Sequence, residues 1–189
     1  WGTVEAVKNE IKNGSGGAII VGIDNGSTMR ENELTPKSIG SLITEGENFV
    51  SELPKEMLSN LIELNKDFYS TFTAPEAEIF DDFLINTVIP YVESNFPVNS
   101  DKSARAVCGS SMGGLFAFYS GIENSGLFSF VGVFSPAFLL YKETTIINWL
   151  MSKMTDDMPY LYVYTGGGDM LEEIIRKTTE STYDMIAES

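Results

Sequence analysis

The chain has 189 residues, with 27 acidic against 12 basic side chains, a formal charge of −15 and no histidine. Lacking histidine, it cannot by itself build a histidine-ligated zinc site, an HExxH peptidase or a complete Ser-His-Asp triad. The acidic balance argues against nucleic acid and anionic membrane surfaces as partners, while 43% hydrophobic residues suffice for one core.

In chain order, Trp1–Lys12 places Trp1, Val4, Val7 and Ile11 at helical spacing, ended by Asn13-Gly14-Ser15-Gly16-Gly17. Ala18–Ile23 is a continuous β-branched run and predicts a strand buried on both faces, as in parallel sheets. Asp24-Asn25-Gly26-Ser27 closes it as a turn. Leu53, Met57, Leu58, Leu61, Ile62, Leu64 and Phe68 predict an amphipathic helix over Ser51–Tyr69. A further helix starts after Thr73-Ala74-Pro75, carries Ile79, Phe80, Phe83, Leu84, Val88, Ile89 and Val92, and ends near Phe96-Pro97.

From there strands and helices alternate: strand Ala104–Cys108, helix Met112–Ile122, strand Phe128–Phe134, helix Glu143–Met154, strand Pro159–Tyr164, helix Met170–Ala187. Such alternation means βαβ units. The fold class is α/β: one layer of mostly parallel sheet between two layers of helices. Phe116, Phe118, Phe128, Phe130 and Phe134 are core candidates. The lone Cys108 forms no intrachain disulfide and reads as a buried, inert thiol. Asp81-Asp82, Asp156-Asp157 and Glu172-Glu173 lack metal-ligand spacing and read as solvated faces, so no metal site or cofactor is expected. The longest apolar stretch, Leu127–Tyr141, is interrupted and falls short of the ~20 residues that span a bilayer, so no membrane insertion is expected.

Chemistry concentrates in Gly109-Ser110-Ser111-Met112-Gly113-Gly114. This G-x-S-x-G pattern arises by chance about 0.1–0.2 times in such a chain. Its setting is more specific, because a strand runs into it and a helix leaves it, the context of a nucleophile elbow. Gly109 and Gly113 would leave space where side chains would collide with strand or helix. Met112 N–H, at the helix start, could donate to a developing oxyanion. The bland alternative is a turn in which Ser110 or Ser111 caps the helix. Thr165-Gly166-Gly167-Gly168-Asp169 follows the second strand beyond the elbow strand. There Asp169 could orient a base or simply cap the next helix, with Glu172 or Glu173 as substitutes.

Asp24, Asn25 and Arg30 lie at or after the carboxyl end of a predicted strand, where open parallel sheets bind ligands. Arg30 could hold a substrate group or pair with Glu33 at the surface. Ser135 could line the pocket floor or start a Ser-Pro turn.

The segment Ala106–Tyr119, with Val131-Gly-Val-Phe-Ser-Pro136, resembles the esterase D-like branch of the α/β-hydrolase superfamily, which includes feruloyl, acetyl-xylan and enterochelin esterases, S-formylglutathione hydrolases and mycolyltransferases. Ile19–Asn25 and Arg30–Pro36 are similar to the strand and loop that precede the elbow in these enzymes. The resemblance implies an α/β-hydrolase domain over 1–189, incomplete at both ends, with a cap or insertion at 46–75. It implies Ser111 as nucleophile, Met112 N–H as oxyanion donor and Asp169 as acid. It also implies a histidine base roughly 25–35 residues beyond the acid, past Ser189. A second oxyanion donor would lie before Trp1. The expected activity is hydrolysis of a small-molecule or carbohydrate ester of feruloyl or acetyl type, with the 189 residues alone nearly inactive. Acyl transfer, or a non-catalytic binding module that has lost its base, are the alternatives.

Overall fold

A computed structural model describes residues 2–26, 29–42 and 74–188. The expected helix over Ser51–Tyr69 and nearly all of the expected cap at 46–75 lie outside these residues.

Three short strands, β1 (Ala106–Ser110), β2 (Phe130–Phe134) and β3 (Tyr160–Tyr164), form a parallel sheet in the order β1-β2-β3. Val107 pairs with Val131 and Val131 with Leu161; one step on, Cys108 pairs with Gly132 and Gly132 with Tyr162. Because side chains alternate along a strand, this register sorts residues into two faces. One face carries Val107, Val131, Leu161, Val133 and Val163, and β2 buries Val131 and Val133 completely. The other carries Ala106, Cys108, Phe130, Phe134, Tyr160, Tyr162 and Tyr164.

Helices are α1 (Thr3–Lys12), α2 (Arg30–Glu33), α3 (Ala77–Phe83), α4 (Ile89–Asn95), α5 (Met112–Glu123), α6 (Glu143–Lys153) and α7 (Met170–Glu188). A π-helical turn, Leu84–Val88, joins α3 to α4 just ahead of Pro90, whose missing N–H and bulky ring disturb the regular ladder. All predicted elements from Ala104 onward are present within a few residues of their expected ends.

Among the described residues the helices cover one sheet face, two layers where three were expected. The strand order explains this. Each crossover steps in the same direction, and right-handed crossovers in one direction place their helices on the same side. α5 and α6 therefore share a face, and α7 packs against α6 and the Phe138–Leu140 turn. α5 sits close to β2: a Cβ on Gly121 would come within 2.3 Å of Val131 Cγ2. Trp149 of α6 stacks on Tyr119 with ring centroids 5.8 Å apart, and Phe118 meets Phe138 edge-on at 5.1 Å.

Three expectations are corrected here. Ala18–Ile23 forms no strand; Ile19, Ile20 and Val21 remain 45–51% exposed, and no strand among the described residues pairs with the run. Phe130 and Phe134 are not core but half-buried on the open face, where Phe130 stacks on Tyr160 at 5.7 Å. Cys108 lies exposed on that same face. Phe116, Phe118 and Phe128 are buried as expected.

Candidate active site

Ser111 sits between β1 and α5 with φ 58° and ψ −123°. A serine pays about 1–3 kcal/mol for such a backbone, so its surroundings must enforce it. They do so with main-chain bonds. Ser111 N–H donates to the Phe134 carbonyl at 3.0 Å, while Gly114, Leu115 and Ala137 N–H groups donate to the Ser111 carbonyl at 3.0–3.1 Å. The Ser111 side chain makes no capping bond to the helix. Its hydroxyl is thus not spent on the helix end, unlike in the bland reading of this turn.

The glycines divide differently from the expectation. A Cβ on Gly109 would lie 1.9 Å from the Gly113 carbonyl oxygen, so strand and helix meet there without room for a side chain. Gly113 itself has nothing within 4 Å of its would-be Cβ. The tight position on the helix side is Gly114, whose Cβ would lie 2.9 Å from the Phe134 carbonyl oxygen and 3.3 Å from Pro136 Cα. Sequence spacing missed Gly114 because the contact comes from β2, far along the chain. Met112 N–H, at the first turn of α5, donates to none of the described residues.

Asp169 is exposed, and its Oδ1 accepts the Glu172 N–H at 2.9 Å. Its carboxylate caps α7 in this structure. Glu173 is held by Arg176 at 2.6 Å, and the guanidinium keeps its carboxyl below the usual range. Glu172 points elsewhere: its Oε2 accepts from the Ser135 hydroxyl at 3.3 Å. Ser135 has φ 40° and also accepts the Gly166 N–H at 3.2 Å.

The other candidates are scattered. Asp24 Oδ1 accepts the Asn25 N–H at 3.0 Å. Arg30 does not pair with Glu33, whose Oε2 instead accepts the Gly26 N–H at 2.7 Å. Asn25 and Arg30 line a cleft of about 450 Å³ whose walls include Ile19, Val21, Cys108 and Gly113. Ser111, Ser135 and Asp169 do not line it. Asp81, expected on a solvated face, is only 9% exposed. It accepts from Ser120 Oγ at 2.5 Å and Asn124 Nδ2 at 2.9 Å, joining α3 to α5.

The family model described as "Putative esterase" matches residues 62–159, just over half of the chain and including the whole elbow. The chain belongs to this esterase family. Among curated proteins, this esterase-family chain is similar to an endo-1,4-beta-xylanase/feruloyl esterase of Xylanibacter ruminicola, 28% identical over 106 residues. Those residues are 56% of this chain and span 13% of the relative's length. No solved structure matches the esterase-family chain.

Proposed function

We propose that the chain carries the nucleophile half of a carboxylic-ester hydrolase that works through a serine acyl-enzyme. The observation that carries this reading is the strained Ser111 backbone at the β1–α5 turn, held by bonds from β2 and α5 with its hydroxyl left out of the helix cap. In this reading Ser111 Oγ attacks the ester carbonyl, and the uncommitted Met112 N–H donates to the oxyanion that forms. Asp169 is the acid that orients the imidazole, exchanging its helix-capping bond for that role. Met112 follows from the family resemblance and its place at the first turn of α5, and Asp169 from the family resemblance and its place in the loop after β3.

A serine hydroxyl reacts slowly until a base removes its proton, and the chain has no histidine. The base in this scheme comes from outside the 189 residues, in a larger α/β-hydrolase domain with helices on both sheet faces. An acyl-decorated carbohydrate, of feruloyl or acetyl type, is the proposed substrate class. It is supported by the similarity to a xylanase/feruloyl esterase. Of the proposed binding residues, Asn25 and Arg30 share a cleft with the elbow helix. Asp24 adjoins Asn25; the Ser135 hydroxyl is engaged by Gly166 and Glu172, so Ser135 is not among the residues proposed to bind substrate.

Hydrolysis of a chromogenic acetyl ester tests the scheme. The 189-residue chain should turn over at or near background, and a longer form that supplies the base should be active. In that active form Ser111→Ala should lower kcat by a factor of about 10³ or more. Strong turnover by the 189 residues, abolished by Ser111→Ala, would show that no histidine is needed. Full activity of Ser111→Ala would remove the nucleophile assignment.

A further inference from the structure

Ser135 and Ser111 are the two non-glycine residues with positive φ among the described residues, and they sit on adjoining turns. The carbonyl of Phe134, immediately before Ser135, holds the Ser111 N–H at 3.0 Å. Two residues after Ser135, the Ala137 N–H returns to the Ser111 carbonyl at 3.1 Å. On its other side Ser135 faces the end of β3. Its N–H donates to the Tyr164 carbonyl at 2.7 Å, and its hydroxyl accepts the Gly166 N–H at 3.2 Å. The same hydroxyl donates to Glu172 Oε2 at 3.3 Å, in the first turn of α7. A Cβ on Gly166 would lie 3.1 Å from Glu172 Oε2, close enough that the carboxylate would have to give by a few tenths of an ångström.

Ser135 is therefore the node between two loops: the turn that presents Ser111, and the stretch Thr165–Asp169 that presents the acid. A positive-φ serine is a poor choice for a strand end unless its side chain has a task. Extended backbone there would suit most residues and could keep the sheet, but the left-handed turn is where this hydroxyl meets both Gly166 and Glu172.

We infer that Ser135 and Glu172 are positioning residues, whose hydroxyl–carboxylate brace sets the acid loop against the nucleophile turn. The inference rests on the proposed roles of Ser111 and Asp169. The brace explains why Glu172, unlike Glu173, does not pair with Arg176: its carboxylate is turned toward the elbow side. It acts on geometry, so its loss should slow the chemical step and leave substrate binding nearly intact.

Two measurements test it together. In the 189-residue chain, Ser135→Gly keeps positive φ accessible and removes the hydroxyl, and it should speed amide exchange at Gly166 at least tenfold. In the catalytically competent longer form, the same change should lower kcat at least tenfold with KM within twofold. Glu172→Ala should act in the same direction, and Glu172→Gln, which still offers an acceptor oxygen, should recover most of the loss. Unchanged Gly166 exchange, kcat within twofold of wild type in Ser135→Gly, or no recovery by Gln over Ala would each overturn the brace. Ser111→Ala run in parallel separates the readings. If it stays active, the nucleophile assignment fails, and Gly166 exchange still judges the brace.

Discussion

Gly109 and Gly113 flank the same serine, yet they face different surroundings. Gly109→Ala must push the Gly113 carbonyl away from a contact at 1.9 Å, and neither strand nor helix backbone can yield cheaply. It should cost about 3 kcal/mol or more. Gly113→Ala enters open space within a helix and should be neutral or stabilising by about 0.5–1 kcal/mol. Urea unfolding midpoints of the two variants check both signs, and equal losses would mean the elbow is not packed as described. Ser111 allows a separate test of strain. Ser111→Gly and Ser111→Ala both remove the hydroxyl, but only glycine accepts φ 58° freely. The glycine variant should be about 1 kcal/mol more stable than the alanine variant. A more stable alanine variant would show that the turn stores no strain. The pattern Gly-Ser-Ser-Met-Gly showed which turn this is. It could not show which glycine touches what, because Gly114 meets Phe134 at the end of the next strand and Pro136 just beyond it.

At the scale of elements, Asp81 joins α3 to the elbow helix through Ser120 and Asn124. Burial is the largest influence on its carboxyl and raises its pKa above the ordinary 3.8; the bonds from Ser120 and Asn124 oppose this, and Glu123 and Asp82 add to it. The raised value means that the folded state favours the protonated form more than the unfolded chain does. The contribution is fully present below about pH 3.8 and is lost as pH rises through the folded value. Asp81→Asn carries no charge at any pH. Its stability relative to wild type should therefore improve steadily from pH 3.8 upward, until Asp81 is fully ionised. Thermal melts across pH 3.5–7 measure this difference, and a flat or falling difference would contradict the buried-carboxyl account. Sequence alone placed Asp81 on a solvated face beside Asp82. The helix period does not say which neighbours arrive from 39 residues away.

The whole molecule exposes a sheet face bearing Tyr160, Tyr162 and Tyr164 at 66%, 45% and 53%, and β1 and β3 each pair with β2 alone among the described residues. Open edges and an aromatic face favour association, and a charge of −15 opposes it. Salt screens the charge while leaving the apolar face unchanged, the Debye length falling from about 30 Å at 0.01 M to about 3 Å at 1 M. The 189-residue chain should thus associate more strongly as salt increases, as read by sedimentation velocity at fixed protein concentration. A monomer at both 0.01 M and 1 M salt would show that the open face is covered in solution.

The amino-acid sequence by itself determined the strand–turn–helix around Ser111 and the order of elements from Ala104 to Ala187. Both are written in local spacing: glycines around a serine, alternation in strands, a 3.6-residue period in helices. It also established that no imidazole lies within these residues. Tertiary structure decided which sheet face is covered, that Ala18–Ile23 forms no strand, and that Asp169, Glu172 and Glu173 turn to three different partners. The covered face and the Ser135–Glu172 contact, 37 residues apart, depend on groups far apart in the chain, whereas Asp169 and Glu173 take partners three residues away. Local periodicity carries no information about which distant donor will meet which acceptor; only the packing of β2 against β3 and α7 supplies it.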